Sequence, residues 1–211
     1  YLIALGTGQW TPAPWINVVA NERLGFYVSE SGAGYTWAAN SRENQLTPWS
    51  NDPVGDRPGE VFYVRDEDSE ALWGPTALPI RQEAGQYFAR HGQGYSRFEH
   101  LSQGISLELL QYVAPDDPIK ISRLFLQNRS TRTRRLSITA YVEWALAAAG
   151  SAAAPFIVSE IDEETGALLA RNPWSTGSGD RVAFVDLAGQ QLEIGPIQSG
   201  DVAVALDQAA R

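Results

Sequence analysis

Three consecutive segments in the middle of the chain alternate between apolar and polar residues with a period of two. They are ISLELLQYVA (105–114), IKISRLFLQN (119–128) and LSITAYVEWAL (136–146), and all are rich in β-branched and aromatic residues. Because successive side chains of a strand point to opposite faces of a sheet, this period indicates half-buried β-strands. The intervening APDDP (114–118) predicts a turn, since prolines lack a backbone donor and aspartates bond to their own backbone.

Shorter runs of the same character flank this region. They are WINVVA, LGFYVS, GYTWAA and VFYVR before it, and PFIVSEI, ALLARN, RVAFVDL and DVAVAL after it. RDEDSEALW (65–73) and DEETGALL (162–169) predict hairpins, the second with Gly166 free to adopt a positive φ. We interpret the one helix-like stretch, EWALAAAGSAAA (143–154), as the end of a strand followed by a loop. The 211 residues therefore predict an all-β fold, a large antiparallel sandwich in one domain spanning 1–211.

Composition narrows the classes of function. A net charge of −9 argues against nucleic acid as a partner, because phosphate neutralisation needs clustered cations. There is no apolar run of about 18 residues, so we expect no direct membrane contact. The absence of cysteine excludes disulfides and thiolate metal sites and fits a reducing compartment. The chain starts at Tyr1 rather than at a methionine, and we expect it to be a fragment of a longer protein.

Two short charged clusters and two glycine-bearing segments have plain structural explanations. RSTRTRR (129–135) is expected to be a solvated hairpin tip, with an anion site as the alternative. DED (66–68) is expected to be another solvated tip, because it lacks the EF-hand spacing of a calcium loop. GTGQW (6–10) and ESGAGY (30–35) precede no helix, so they predict turns rather than phosphate-binding loops.

The only two histidines, His91 and His100, flank GQGYSRFE (92–99) in a candidate hairpin. There is no G-x-S-x-G elbow for a serine nucleophile and no H-E-x-x-H zinc spacing. A histidine paired with Glu99 or Glu108 could perform acid–base chemistry of the kind used by sugar epimerases. We favour structural roles for both histidines and expect neither a cofactor nor a metal.

The segment NSRENQLTPWSNDP (40–53) is dense in polar residues and contains a tryptophan. Sugars stack their C–H faces on aromatic rings and bond their hydroxyls to amides and charged groups, so such a segment suits a carbohydrate pocket. The alternatives are that the tryptophans belong to the core and that the polar side chains satisfy buried turns. The candidate carbohydrate-binding residues are Trp37, Asn40, Arg42, Glu43, Asn44, Trp49, Asn51 and Asp52, with Tyr35 beside them.

Most of the chain resembles one known family. Residues 11–76, including NSRENQLTPWSNDP, together with 91–144, 155–174 and 181–187, resemble the N-terminal β-sandwich of the inverting glycoside phosphorylases, the cellobiose and chitobiose phosphorylase family. Within that family the likeness is greatest to the phosphorylase-like region of cyclic β-1,2-glucan synthases. Beyond Leu187, AGQQLEIGPIQSGDVAVAL (188–206) looks shorter than the family pattern.

The resemblance implies a supersandwich of the galactose-mutarotase-like kind that precedes an (α/α)6 barrel. In the family that barrel carries the general-acid aspartate and the phosphate site, and nothing in this chain matches it, so no catalytic residue is carried over. The implied partners are a β-glucan oligosaccharide, the downstream (α/α)6 barrel and a second copy of the chain whose active site a loop could reach. The implied location is the cytoplasmic face of a bacterial inner membrane.

Three functions remain open at this point. The first is a non-catalytic sugar-associated domain of a cyclic β-1,2-glucan synthase or related phosphorylase. The second is an autonomous β-glucan-binding module. The third is a mutarotase-like epimerase that uses His91 or His100 with Glu99 or Glu108.

Overall fold

The structure, a computed structural model, describes residues 1–188 and 199–210. Within them the chain forms strands and a single turn of 3-10 helix, Ala154–Phe156. The strands are β1 (Leu2–Leu5), β2 (Ile16–Ala20), β3 (Leu24–Ser29), β4 (Gly34–Ala38), β5 (Glu60–Asp66), β6 (Leu72–Trp73), β7 (Tyr87–Gly92), β8 (Tyr95–Ser102), β9 (Ile105–Val113), β10 (Ile119–Asn128), β11 (Leu136–Val142), β12 (Val158–Ile161), β13 (Leu168–Arg171), β14 (Arg181–Ala188) and β15 (Ser199–Ala210).

The strands form one large sheet and two small ones. The nine-stranded sheet has the order β1-β7-β8-β9-β10-β15-β14-β13-β12, and the small sheets have the orders β11-β5-β6 and β2-β3-β4. Every described pair of strands is antiparallel. Side chains of both small sheets share one hydrophobic core with the large sheet. The predicted all-β antiparallel supersandwich is confirmed.

The alternation of apolar and polar residues in the sequence indicates which side of the large sheet faces the core. Along β9, residues 105, 107, 109, 111 and 113 are buried and the residues between them are partly exposed. Leu124 and Leu126 of β10 face the same interior, opposite Phe26 and Val64 of the small sheets. We call this side of the large sheet its inner face. Truncating one such leucine to alanine costs about 2–5 kcal/mol, so these positions fix the register of the sheets.

A buried ion pair joins the three sheets. Lys120 of β10 donates to Glu60 of β5 over 2.6 Å, and Glu60 also accepts hydrogen bonds from Thr36 and Thr47. Burial alone would raise the pKa of Glu60, but the Lys120 ammonium and the two hydroxyls outweigh it and hold the pKa below its usual value. Each sheet therefore contributes to one satisfied polar cluster in the interior.

The hairpin expected at 129–135 is wrong, although most of these residues are exposed as expected. β10 belongs to the large sheet and β11 to a small one, so this segment crosses between layers instead of closing a hairpin. Arg134 is buried and donates through both Nε and Nη2 to Asp66, with 2.9 Å between Nε and Oδ2. Its Nη1 donates to the carbonyl of Gln103 in the turn between β8 and β9. The cluster at 129–135 thus fastens the small sheet to the large one.

The solvated tip expected at 66–68 is also wrong for Asp66. The hairpin between β5 and β6 is confirmed, but Asp66 is fully buried rather than solvated. Its Oδ1 accepts the backbone N–H groups of Asp68 and Ser69 at 2.8 and 3.2 Å. Burial opposes ionisation of this carboxyl, yet these bonds and Arg134 lower its pKa to about 2.

Some of the remaining predictions on local structure are confirmed and others are wrong. The hairpin around Gly166 is confirmed, with φ of +77° at the glycine. Residues 6–10 and 30–33 form turns, whereas Gly34 and Tyr35 begin β4. β11 ends at Val142, so 143–146 form a loop rather than the end of a strand. β1 was not predicted from the sequence. The shortening expected near 188–206 falls largely on residues outside those described.

No helix in the described part of the chain has the length and apolarity to span a bilayer.

Candidate carbohydrate-binding surface

The small sheet β2-β3-β4 turns one face to the core and the other outward. Leu24, Phe26 and Val28 of β3 point into the core, so the alternating residue Tyr27 points outward. On the neighbouring strand β4, Tyr35 and Trp37 lie on this same outer face, because Tyr27 and Tyr35 are paired directly across the strands. Trp49, from the loop after β4, packs beside Tyr35. We call Tyr27, Tyr35, Trp37 and Trp49 the aromatic face.

Ring contacts connect the four side chains. The centroid of Tyr35 lies 5.0 Å from that of Tyr27, 5.2 Å from that of Trp37 and 6.1 Å from that of Trp49. With these contacts in place, 44% of Trp49 is exposed. These contacts hold Trp49 in place with part of its ring in solvent.

A glycine gives Trp37 its position on this surface. A Cβ built on Gly25 would approach the Trp37 ring to 2.5 Å, closer than any real contact. The indole therefore lies flat over the β3 backbone, where a side chain at residue 25 would lift it off the sheet.

The loop after β4 carries four of the sequence-predicted residues. The Asn40 side-chain oxygen accepts the backbone N–H groups of Arg42 and Glu43 at 2.9 and 3.0 Å, which fixes the turn. Arg42 and Glu43 are exposed and lie 3.6 Å apart at their closest charged atoms. Asn44 is buried and donates to the carbonyl of Ala38 over 3.1 Å. Arg42 and Glu43 thus keep their charged groups in solvent, whereas Asn40 and Asn44 shape the loop.

A second loop lies on the other side of Trp49. Asp52 accepts the N–H groups of Val54 and Gly55, both at 3.0 Å, and these bonds lower its pKa. Asn51 is exposed and has a φ of +45°. Asp56 accepts a 2.6 Å bond from Ser29, and its pKa is raised by burial and by the nearby carboxylates Glu30 and Asp52.

The two loops border the aromatic face with polar groups. The Tyr35 hydroxyl donates to the carbonyl of Ser41, which places the first loop at the tip of that ring. Burial, with the charge of Asp56, raises the pKa of Tyr27 to about 12, so this phenol stays protonated at physiological pH. The arrangement can stack a sugar ring against Trp49 and offer hydroxyl, amide and charged partners around it.

Three of the four side chains of the aromatic face were predicted from the sequence, and Tyr27 was not. Tyr35, Trp37 and Trp49 come together as a group, with Arg42 and Glu43 on the loop beside them. Tyr27 was missed, although its outward position follows from the alternation in LGFYVS once Phe26 is assigned to the core.

The histidines do not form an acid–base site with the two glutamates. His91 and His100 are buried on the inner face of the large sheet, whereas Glu99 alternates to the opposite face. Glu99 and its neighbour Glu108 both bind Arg97, at 2.5 and 2.8 Å. The epimerase interpretation therefore lacks the geometry it requires.

Each histidine has a structural environment instead. His91 Nδ1 lies 2.9 Å from the Ser96 hydroxyl, and burial lowers the pKa of His91 below its ordinary value. His100 Nδ1 donates to the carbonyl of Gln86 and its ring stacks on Tyr87 with centroids 3.8 Å apart. Burial also lowers the pKa of His100. Both rings are neutral at pH 7.

Among residues 1–188 and 199–210, no group of three or more His, Asp or Glu side chains is placed to hold a metal ion. Comparison with known proteins identifies the family. The model for the glycosyl hydrolase 94 supersandwich domain matches residues 1–199. The chain belongs to this family. The resemblance to glycoside phosphorylases and cyclic glucan synthases is confirmed.

Named relatives agree with this assignment. The chain is similar to the cyclic beta-(1,2)-glucan synthase NdvB of Rhizobium meliloti (strain 1021), at 44% identity over 193 residues, 90% of this chain and 7% of that protein. It is 30% identical to the N,N'-diacetylchitobiose phosphorylase of Vibrio proteolyticus, over 63% of this chain and 17% of the relative. It is also 30% identical to the solabiose phosphorylase of Paenibacillus borealis, over 66% and 18%. The chain thus spans less than a fifth of the length of each of these relatives.

Proposed function

We propose that this supersandwich is the non-catalytic, sugar-associated domain of a cyclic β-1,2-glucan synthase or related glycoside phosphorylase. In this proposal it packs on an (α/α)6 catalytic domain of the same polypeptide and helps to shape the carbohydrate site or a dimer contact there. The polypeptide as a whole would act at the cytoplasmic face of a bacterial inner membrane.

The observation that carries the proposal is a row of apolar side chains on the inner face of the large sheet, most of which are exposed in the described part of the chain. Ile161 pairs with Leu168, and Leu168 pairs with Val185, so the three side chains form one row across β12, β13 and β14. Val185 is buried, but Ile161 is 69% exposed and Leu168 is 37% exposed. Leu187, two residues along β14 from Val185, is 58% exposed. A face of this kind is typical of a contact with another domain.

The absence of an acid–base pair at the histidines fits a non-catalytic role. Inverting phosphorolysis needs an acid at the glycosidic oxygen and phosphate on the opposite face of the sugar ring. The only histidines are held neutral in the interior, and the neighbouring glutamates are bound to Arg97. Catalysis is accordingly assigned to another part of the polypeptide.

The contact with a catalytic domain can be tested directly. The purified chain, mixed with the separately purified catalytic domain, should co-migrate with it in size-exclusion chromatography. Leu168→Glu should abolish co-migration, because it places a charge within the apolar row. The matched control is Leu101→Glu, since Leu101 is 57% exposed but lies on the opposite face of the large sheet.

Catalysis by the chain alone provides the complementary test. Incubation with inorganic phosphate and β-1,2-glucooligosaccharides should release no sugar phosphate above a no-protein blank. The proposal fails if the isolated chain phosphorolyses these substrates, or if Leu168→Glu associates with the catalytic domain as the unaltered chain does.

The partial exposure of Trp49 favours a second candidate, an autonomous β-glucan-binding module. In that case the isolated chain should change its tryptophan fluorescence when β-1,2-glucooligosaccharides are added, and Trp49→Ala should lose the response. No response at millimolar ligand would reject the module and leave the scaffolding role.

A further inference from the structure

A second pair of aromatic side chains lies exposed outside the aromatic face. Phe156, in the 3-10 turn before β12, and Trp174, in the turn after β13, have ring centroids 6.0 Å apart and planes inclined by 45°. Trp174 is 76% exposed and Phe156 is 47% exposed. Trp174 is more exposed than Trp49 and is not among the residues predicted from the sequence to bind carbohydrate.

The turn that carries Trp174 is firmly built. Asn172 is only 5% exposed, and its side-chain amide donates to the carbonyl of Leu146 over 3.1 Å. The side-chain oxygen of Asn172 accepts the N–H of Trp174 at 3.2 Å, and its backbone carbonyl accepts the N–H of Ser175 at 3.0 Å. A ring presented from an ordered turn loses little backbone entropy when it contacts a ligand.

The same anchor connects this turn to the predicted polar loop. Leu146, which holds Asn172, belongs to a segment that runs along residues 42–46. Ala145 donates its N–H to the carbonyl of Leu46 over 2.8 Å, and Ala149 donates to the carbonyl of Arg42 over 2.7 Å. One stretch of backbone therefore lies between the Trp174 turn and the loop with the exposed charges of Arg42 and Glu43.

We propose that Trp174 and Phe156 form a second sugar-stacking subsite, for a β-linked glucan chain that also reaches Arg42 and Glu43. This rests on the proposed function, in that it takes the domain to be associated with a glucan. The indole face would cover the C–H face of one glucose unit, and the charged groups would bond the hydroxyls of another.

The surroundings favour a sugar chain over a protein partner at this position. Two rings bordered by exposed Pro173, Thr176 and Gly177 are far smaller than the surface of about 800 Å² per partner that a specific protein interface buries. The apolar row of the inner face, by contrast, extends over three strands.

The subsite can be tested by calorimetric titration of the full 211-residue chain with β-1,2-glucooligosaccharides. Trp174→Ala should weaken binding about fivefold or more, the loss expected for one aromatic contact. Trp174→Phe should recover part of the affinity, because it restores a stacking surface. Trp10→Ala is the matched control, since Trp10 is 55% exposed and stacks on Arg81 instead. Thermal unfolding of each variant checks that the fold is intact.

Two results would overturn the subsite. One is binding by Trp174→Ala with unchanged affinity, and the other is no binding by the unaltered chain at millimolar oligosaccharide. Neither result bears on the contact with a catalytic domain, which the Leu168→Glu co-migration experiment decides separately.

Discussion

Two polar segments of this chain each contain an arginine, and the two arginines end in opposite environments. Residues 40–53 keep Arg42 and Glu43 in solvent on a loop beside the aromatic face. Residues 129–135 pass between the small and large sheets, and Arg134 enters the interior to bind Asp66. In sequence the first resembles a binding loop and the second a solvated tip.

The difference between them is the partner that each finds. Among the described residues, the Arg42 side chain is paired with its exposed neighbour Glu43, so the charge of Arg42 stays hydrated. Arg134 meets a buried carboxylate and a backbone carbonyl, which compensate its removal from water. A run of polar residues therefore indicates where a binding site could lie. Whether one of its charged side chains is buried depends on a complementary group elsewhere in the chain.

The largest effect is expected when the buried partner of Arg134 is removed. Asp66→Ala should lower the free energy of unfolding by about 3–5 kcal/mol, because it leaves a guanidinium buried without its counter-charge. Urea unfolding followed by tryptophan fluorescence measures the change. The control is Asp68→Ala, whose exposed pair with Arg135 spans 3.5 Å and should contribute about 0–1 kcal/mol. Equal effects of the two substitutions would contradict the buried role of Asp66.

The pH dependence of stability should report the buried pair of Asp66 and Arg134. The pKa of Asp66 is about 2 in the folded protein, below its ordinary value of 3.8. Its ionised form therefore stabilises the fold above pH 4, and that contribution is lost as the pH falls from about 4 to about 2. Asp66→Asn should be less stable than the unaltered chain at pH 7, with a gap that narrows over this interval. A gap that stayed constant down to pH 2 would count against the assignment.

Removing the half-exposed ring of the aromatic face should have a smaller effect. Trp49→Ala loses the packing of its ring on Tyr35, which should lower the free energy of unfolding by about 1–2 kcal/mol. Thermal unfolding measures the loss. Trp73→Ala, which empties a fully buried site, is the contrasting variant and should cost about 3–5 kcal/mol. Comparable losses would mean that Trp49 belongs to the core.

The smallest effect is expected at the exposed charges of residues 40–53. Arg42→Ala should change the free energy of unfolding by less than about 0.5 kcal/mol, because an exposed ion pair contributes little. The same urea experiment applies. A loss above about 2 kcal/mol would remove the contrast between Arg42 and Arg134 on which the comparison depends.

Much of the fold could be predicted because strand alternation is a local property. The runs at 105–114 and 119–128 became β9 and β10 nearly to the residue, and Gly166 closed its hairpin as expected. The grouping of Tyr35, Trp37 and Trp49 was also within reach, since they lie close together in sequence.

The hairpin expected around residues 92–99 is confirmed as β7 and β8, which bury His91, Ser96 and His100 and therefore show weaker apolar alternation than β9. Sequence reasoning failed mainly where a polar group faces the interior. Arg134 was placed in solvent because its type is usually exposed, and nothing near it in sequence indicated otherwise.

Most of the strands, several of their turns and the family follow from the sequence alone, because each depends on residues within a few positions of one another or on a long run of matching residues. Which charges are buried depends on the assembled fold, since Asp66 and Arg134 stand 68 residues apart and meet only when the layers pack together. The assembled fold also decides that Tyr27 joins the aromatic face and that Trp174 is the most exposed of the indoles in the described chain. A charge is tolerated in the interior only opposite its partner, and the packing of distant strands sets that meeting.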